Sequence, residues 1–208
     1  MKRVAGAVLA LSSLVSAGSA LAATEPISDP STAVERADRI GNATQTSSPT
    51  GPPVTAPPTP AGGVSTEMQQ VLDLVNVERT SRGLVPLTFS PELNVAALAH
   101  TQRQAADGAI YHTDPRDGSD PGDRISRTGY AFSTWGENVA AGYRSPEAVM
   151  SGWMTSSGHC RNILNPAFTE LGVGHVTGGA TYGQFWTQVF ARPLGVPRPP
   201  GTYDASWC

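Results

Sequence analysis

Four histidines are the side chains best suited to proton or metal chemistry in this sequence: His100, His112, His159 and His175. Imidazole titrates near neutrality, so it can accept a proton, donate one or ligate a metal. His112 precedes the turn-rich Thr113-Asp114-Pro115, and His159 follows Ser156-Ser157-Gly158. Both are therefore expected in loops, where a rigid scaffold often carries function, although a loop-tying role fits the same spacing. His100 shares a helical face with Leu93 and Ala97, and His175 sits in an alternating run, so these two read as core or boundary residues.

Glu137 stands in Gly136-Glu137-Asn138-Val139-Ala140-Ala141-Gly142. A carboxylate among such small neighbours is a poor solvated helix face. Small residues admit close approach, and the acid could orient or deprotonate a histidine. Glu170, ahead of Leu171-Gly172-Val173-Gly174, is a weaker case of the same kind. Asp114, Asp117, Asp120 and Asp123 lack the alternate-residue spacing of a calcium loop and read as turn and cap residues. No nucleophile stands out. Ser156 and Ser157 lack a Gly-x-Ser-x-Gly turn, and Cys160 beside His159 is adjacency, not a dyad.

The elements that must position these residues follow from caps and periodicity. Thr66 and Gln69 have capping-box spacing, with Met68, Val71, Leu72 and Val75 at helical intervals until Gly83. Ser90-Pro91-Glu92 and Ser145-Pro146-Glu147 each combine a cap residue, a first-position proline and a first-turn acid. The first of these helices runs to Gly108, and Val149 and Trp153 face inward from the second. Asp120-Pro121 opens a short helix through Ile125, stopped at Gly129. Leu171–Val176 and Phe185–Phe190 alternate like strands on either side of Gly178-Gly179. Helices followed by a hairpin predict an α+β fold.

The 208 residues carry a formal charge of −3, so no basic nucleic-acid footprint is present. The single lysine, Lys2, falls in a segment with the form of a secretory signal. Residues 1–22 have a positive start, an apolar run from Val4 to Val15, and Ala20-Leu21-Ala22 as the cleavage pattern. That run is short of the roughly 20 residues a bilayer requires, so no transmembrane segment is expected. Removal of the signal would leave arginine as the only basic side chain besides histidine, excluding Schiff-base and P-loop lysine chemistry. Residues 23–64, dense in Pro, Thr and Ser, read as a disordered or semi-rigid spacer. The expected domain covers 65–192, followed by a Pro-rich tail over 193–208. A secreted or periplasmic location places Cys160 and Cys208 in an oxidising compartment, where they are expected to pair and pin the tail. A catalytic Cys160 and an intermolecular bridge are the competing readings.

Several motifs recur in one order: Glu78-Arg79, Tyr111-His112-Thr113, Gly136-Glu137-Asn138-Val139, Trp153 ahead of Ser157-Gly158-His159, Asn162-Ile163-Leu164, Phe168–Gly174 and Trp186-Thr187-Gln188-Val189-Phe190. Together they resemble the bacterial branch of the CAP superfamily, which groups cysteine-rich secretory proteins, antigen 5 and pathogenesis-related proteins. The resemblance implies an α-β-α sandwich, with a small antiparallel sheet between helices and a central cleft. In eukaryotic members that cleft holds two His and two Glu and in some cases zinc. His112 and Glu137 match two of the four. Phe185 stands where the second family histidine would be, and the second glutamate has no secure equivalent.

The resemblance thus implies a site of His112, Glu137 and His159, with His159 refilling it from another loop and Glu170 as a substitute acid. Two His and a carboxylate plus water would suit zinc or another divalent metal with an open position. Without metal, the same residues could form a histidine base oriented by Glu137. The functions in view are metal-assisted hydrolysis of an extracellular polymer (protein or nucleic acid), binding of a lipid or partner without turnover, or a bare secreted scaffold. The expected partner is an extracellular ligand, and the expected state is a monomer.

Overall fold

The computed structural model describes residues 64–179 and 181–208; the expected signal sequence and nearly all of the spacer lie outside them. Its elements are α1 (Thr66–Thr80), β1 (Thr88–Phe89), α2 (Pro91–Asp107), α3 (Pro121–Arg127), β2 (Phe132–Ala141), α4 (Pro146–Met154), α5 (Ser157–Ile163), β3 (Glu170–Thr177) and β4 (Gln184–Pro193). The starts follow cap chemistry. Ser90 and Ser145 each accept a hydrogen bond from a backbone N–H three residues on, with proline at the first helical position. Asp120 and Asp123 form a reciprocal capping box on α3. For α1 the cap is Ser65, one residue before the expected Thr66, and its hydroxyl accepts from the Met68 N–H. Gly108 ends α2 in the left-handed conformation at φ 63°.

The strands form one sheet in the order β1-β3-β4-β2. The β3–β4 and β4–β2 pairs are antiparallel, but β1 runs parallel to β3, so the sheet is mixed rather than wholly antiparallel. Helices cover both faces. On one side α1, α4 and α5 bury Val71, Val75, Trp153 and Ile163 against Trp186 and Phe190 of β4. On the other, α2 and α3 bury Leu93, Ala97 and Ile125 against Val189 and Ala191. The architecture is the expected α+β, α-β-α arrangement. Gly172 and Gly174 explain how closely α2 lies on β3, since a Cβ at either would strike the backbone of Leu93 or Ala97. Among the described residues no helix is long and apolar enough to cross a membrane.

Cys160 and Cys208 form a disulfide with Cα atoms 5.8 Å apart. It pins the chain end to α5, and Tyr203 and Trp207 of the tail pack on the larger core. Cys208→Ser should cost about 4 kcal/mol, because a disulfide closing a loop of this size removes conformational entropy from the unfolded chain. The shift of the urea midpoint, with Cys160→Ser alongside, measures it. An unchanged midpoint would mean that tail packing alone holds the terminus.

Candidate functional site

The Gly136-Glu137-Asn138 segment lies in β2, not in a loop, and strand alternation gives each residue a separate task. Gly136 faces α5, where a Cβ would stand 2.8 Å from the Phe168 ring and 3.1 Å from Asn162 Oδ1. Asn138 points the same way. Its amide donates to the His159 carbonyl at 3.1 Å and to Gln188 Oε1 at 2.9 Å, fastening α5 to the sheet. Asn162 donates back to the Glu137 carbonyl and to Asn138 Oδ1. Glu137 points to the opposite face, toward α2, α3 and the loop between them.

There its carboxylate is almost fully buried and held from both ends. Arg124 Nη2 donates to Oε2 at 2.7 Å, and His112 Nδ1 lies 2.9 Å from Oε1. His100 Nε2 stands 3.9 Å from the same Oε1 and 2.8 Å from the Tyr111 carbonyl. Burial alone would raise the Glu137 carboxyl, but Arg124, the His112 hydrogen bond and nearby His100 together bring it below the ordinary carboxylate value. Burial pushes His100 down, toward the neutral form. An ionised carboxylate only accepts, so His112 Nδ1 must donate to it. In the neutral ring the second nitrogen, Nε2, then carries the lone pair. The His112 side chain is 22% exposed against 1% for Glu137, so the imidazole is the cluster's face to solvent.

The four expected site residues do not all meet. His112 and Glu137 do. His159 lies on the helix α5, not in a loop, and that helix packs on the Asn138 face. The expectation that it refills the site beside His112 is corrected: neighbouring residues of a strand face opposite ways, which puts the sheet between α5 and the Glu137 carboxylate. Glu170 opens β3, separated from β2 by β4, and its carboxylate accepts from Tyr130 at 2.8 Å. Phe185 turns to the α2 face, in an apolar cluster with Ala105 and Ala141. His175 is stacked on Trp186, with ring centroids 3.7 Å apart, on the α1 side of the sheet.

Two members of the cluster were hidden in the sequence. His100 has the spacing of a core residue, and it is one, yet it also borders Glu137. Arg124 sits in a seven-residue helix whose legible signals, the Asp120-Pro121 start and the Gly129 stop, say nothing of which side chain turns inward. The signal the sequence does carry is an arginine in the helix that follows the His112 loop, a natural partner for a buried glutamate.

The residues present do not fit the expected divalent metal. Both Glu137 oxygens are engaged, one by a guanidinium, and Phe185 supplies no ligand. Among the described residues no group of three or more His, Cys, Asp or Glu is placed to hold a metal ion. The arrangement instead offers one oriented imidazole.

The sequence model of the cysteine-rich secretory protein family (CAP) matches residues 72–190, more than half of the chain. Over 127 residues the chain is 41% identical to "Uncharacterized protein YkwD" of Bacillus subtilis (strain 168), covering 61% of this chain and 48% of that protein. It is similar to the crystal structure of an extracellular protein containing an SCP domain from Bacillus anthracis, with TM-score 0.55 and 36% identity, covering 61% of this chain and 40% of that one. An outer surface protein of Borrelia burgdorferi shares the fold at TM-score 0.57 and 18% identity, over 63% of this chain and 96% of that one. The match thus spans about half of the curated relative's length. The chain belongs to the cysteine-rich secretory protein (CAP) family.

Proposed function

We propose that this chain is an extracellular CAP module that binds its ligand at the exposed edge of His112, through the lone pair on Nε2, without turning it over. The observation that carries the reading is the His112 Nδ1–Glu137 hydrogen bond of 2.9 Å, which sets both the tautomer and the direction of the ring. The form of residues 1–22 and the extracellular B. anthracis relative support the location.

An oriented imidazole also suits a general base, which is the hydrolase reading. Arg124 weighs against it. A carboxylate assists a histidine base by compensating the imidazolium that forms, and a guanidinium 2.7 Å away already compensates this carboxylate. Glu137 therefore positions the ring more than it strengthens it as a base. Incubation with labelled casein, double-stranded DNA and phosphatidylcholine vesicles separates the two readings. A retained, chemically intact probe with about tenfold weaker retention by His112→Ala is expected, the size of one lost hydrogen bond. A probe cleaved by the native chain and spared by His112→Ala would establish the hydrolase instead.

A further inference from the structure

We infer that Arg124 is the resident cation of this site, filling electrostatically the place that a divalent metal would take, and that the site is metal-independent because of it. The inference holds whichever ligand His112 meets. Among the described residues Glu137 is the one carboxylate that both His112 and His100 approach, and Arg124 Nη2 is bound to its Oε2 at 2.7 Å. Arg124 is itself fixed, because Nη1 donates to the Ser119 carbonyl at 2.9 Å and the side chain is only 7% exposed. The guanidinium cannot swing out to solvent without leaving both acceptors unpaired inside the protein.

The neighbouring acids are committed in the same way. Asp114 is buried and accepts from Arg103 Nη1 and the Arg116 N–H. Asp117 accepts from Arg127 and the Ser119 N–H, and Asp107 from Arg116 and the Tyr111 hydroxyl. Asp120 and Asp123 cap α3. Each acid bordering the His112 loop thus already has an arginine or a helix end as its partner. A divalent cation on Glu137 would sit beside a guanidinium with no spare carboxylate to offset the added charge. In a buried site such like-charge contact is poorly screened. Metal on the outward His112 Nε2 would find a single protein ligand, too few for a zinc site.

Removing the guanidinium should reverse this. Arg124→Ala frees Glu137 Oε2 and removes the opposing cation, leaving an uncompensated buried carboxylate beside His112 and His100, whose imidazoles would give up their present hydrogen bonds and a proton to ligate zinc. The experiment titrates zinc chloride into the native chain, Arg124→Lys, Arg124→Ala and the Arg124→Ala/His112→Ala double variant. Calorimetry and the imidazole 15N shifts of His112 are the readouts. The native chain and Arg124→Lys are expected to show no zinc-dependent change at His112, and EDTA should leave the native melting temperature unmoved. Arg124→Ala should bind one zinc at least tenfold more tightly than the native chain, and the double variant should lose that gain. Should Arg124→Ala fail to fold alone, refolding it with zinc against EDTA keeps the question open to decision, with recovery in zinc only as the expected result. Stoichiometric zinc at His112 in the native chain would overturn the inference. So would an Arg124→Ala protein that gains no zinc, or whose refolding zinc does not rescue.

Discussion

Replacing Arg79 by alanine should lower stability by about 4–5 kcal/mol, a fall of at least ~10 °C in melting temperature for a domain of this size. Arg79 is a fully buried guanidinium near the end of α1, and its donors reach backbone carbonyls: Val85 at 2.9 Å, Ile163 and Asn165 at 2.8 Å, and Phe168 at 3.4 Å. Burial has pushed it down to about 10, yet it stays charged at neutral pH. Ile163 ends α5, so the cation also meets the negative end of that helix and satisfies a carbonyl the helix leaves open. Alanine would strand these acceptors and open a cavity beneath the helix that braces β2. Arg79→Lys should recover little, because one ammonium cannot reproduce the planar fork that spans acceptors in two loops. Differential scanning calorimetry of the three proteins checks this. A loss below about 1 kcal/mol for alanine would show that water replaces the guanidinium at little cost.

Arg79 also shows what the sequence made legible. The Glu78-Arg79 pair was readable only as part of a family pattern, because the clamp is built from carbonyls far along the chain, and carbonyls carry no sequence signal. Helices with Ser-Pro-Glu starts were readable because cap chemistry is local. β2 was not. Gly136, Ala140 and Ala141 lack the β-branched alternation that marks a strand, since both faces of this strand are covered and its small residues serve close approach. The short helix α5 has the sequence of a loop for a related reason: Ser157-Gly158 opens it, and its seven residues show no apolar period. The resemblance, with that loop reading, places His159 in the expected site. Glu137 is legible as a carboxylate among glycine and alanine, a poor solvated helix face, and His112 as a loop histidine that the family resemblance also picks out.

Glu137→Ala should cost about 4 kcal/mol, since removing one partner of a buried ion pair leaves the other uncompensated. Arg124 would then be a buried cation with only the Ser119 carbonyl, and His112 would lose the bond that orients it. Glu137→Gln should lose less, keeping the shape and one acceptor but not the charge. Stability should also fall with acid in a defined order. His100 has a folded value below its unfolded value of about 6.5, so its contribution is complete above that pH and declines below it as the unfolded chain takes up a proton first. Glu137 behaves likewise from about 4.3 downward, because its folded value is also depressed. Urea midpoints from pH 7.5 to 3.5 should drop in both windows for the native chain. The lower-window drop should shrink in Glu137→Gln, and an equal drop there would assign the acid sensitivity to other carboxylates.

The most direct measurement of the central claim, that Glu137 fixes His112 with its Nε2 lone pair outward, is a long-range 1H–15N correlation spectrum of the imidazoles at neutral pH. The account predicts that His112 is the Nδ1–H tautomer, with unprotonated Nε2, and that the assignment is unchanged by EDTA. Glu137→Gln should release it toward a mixture of tautomers. An Nε2–H tautomer in the native chain would contradict the account, as would a His112 signal that shifts on chelation, because either would mean that Glu137 does not set the ring.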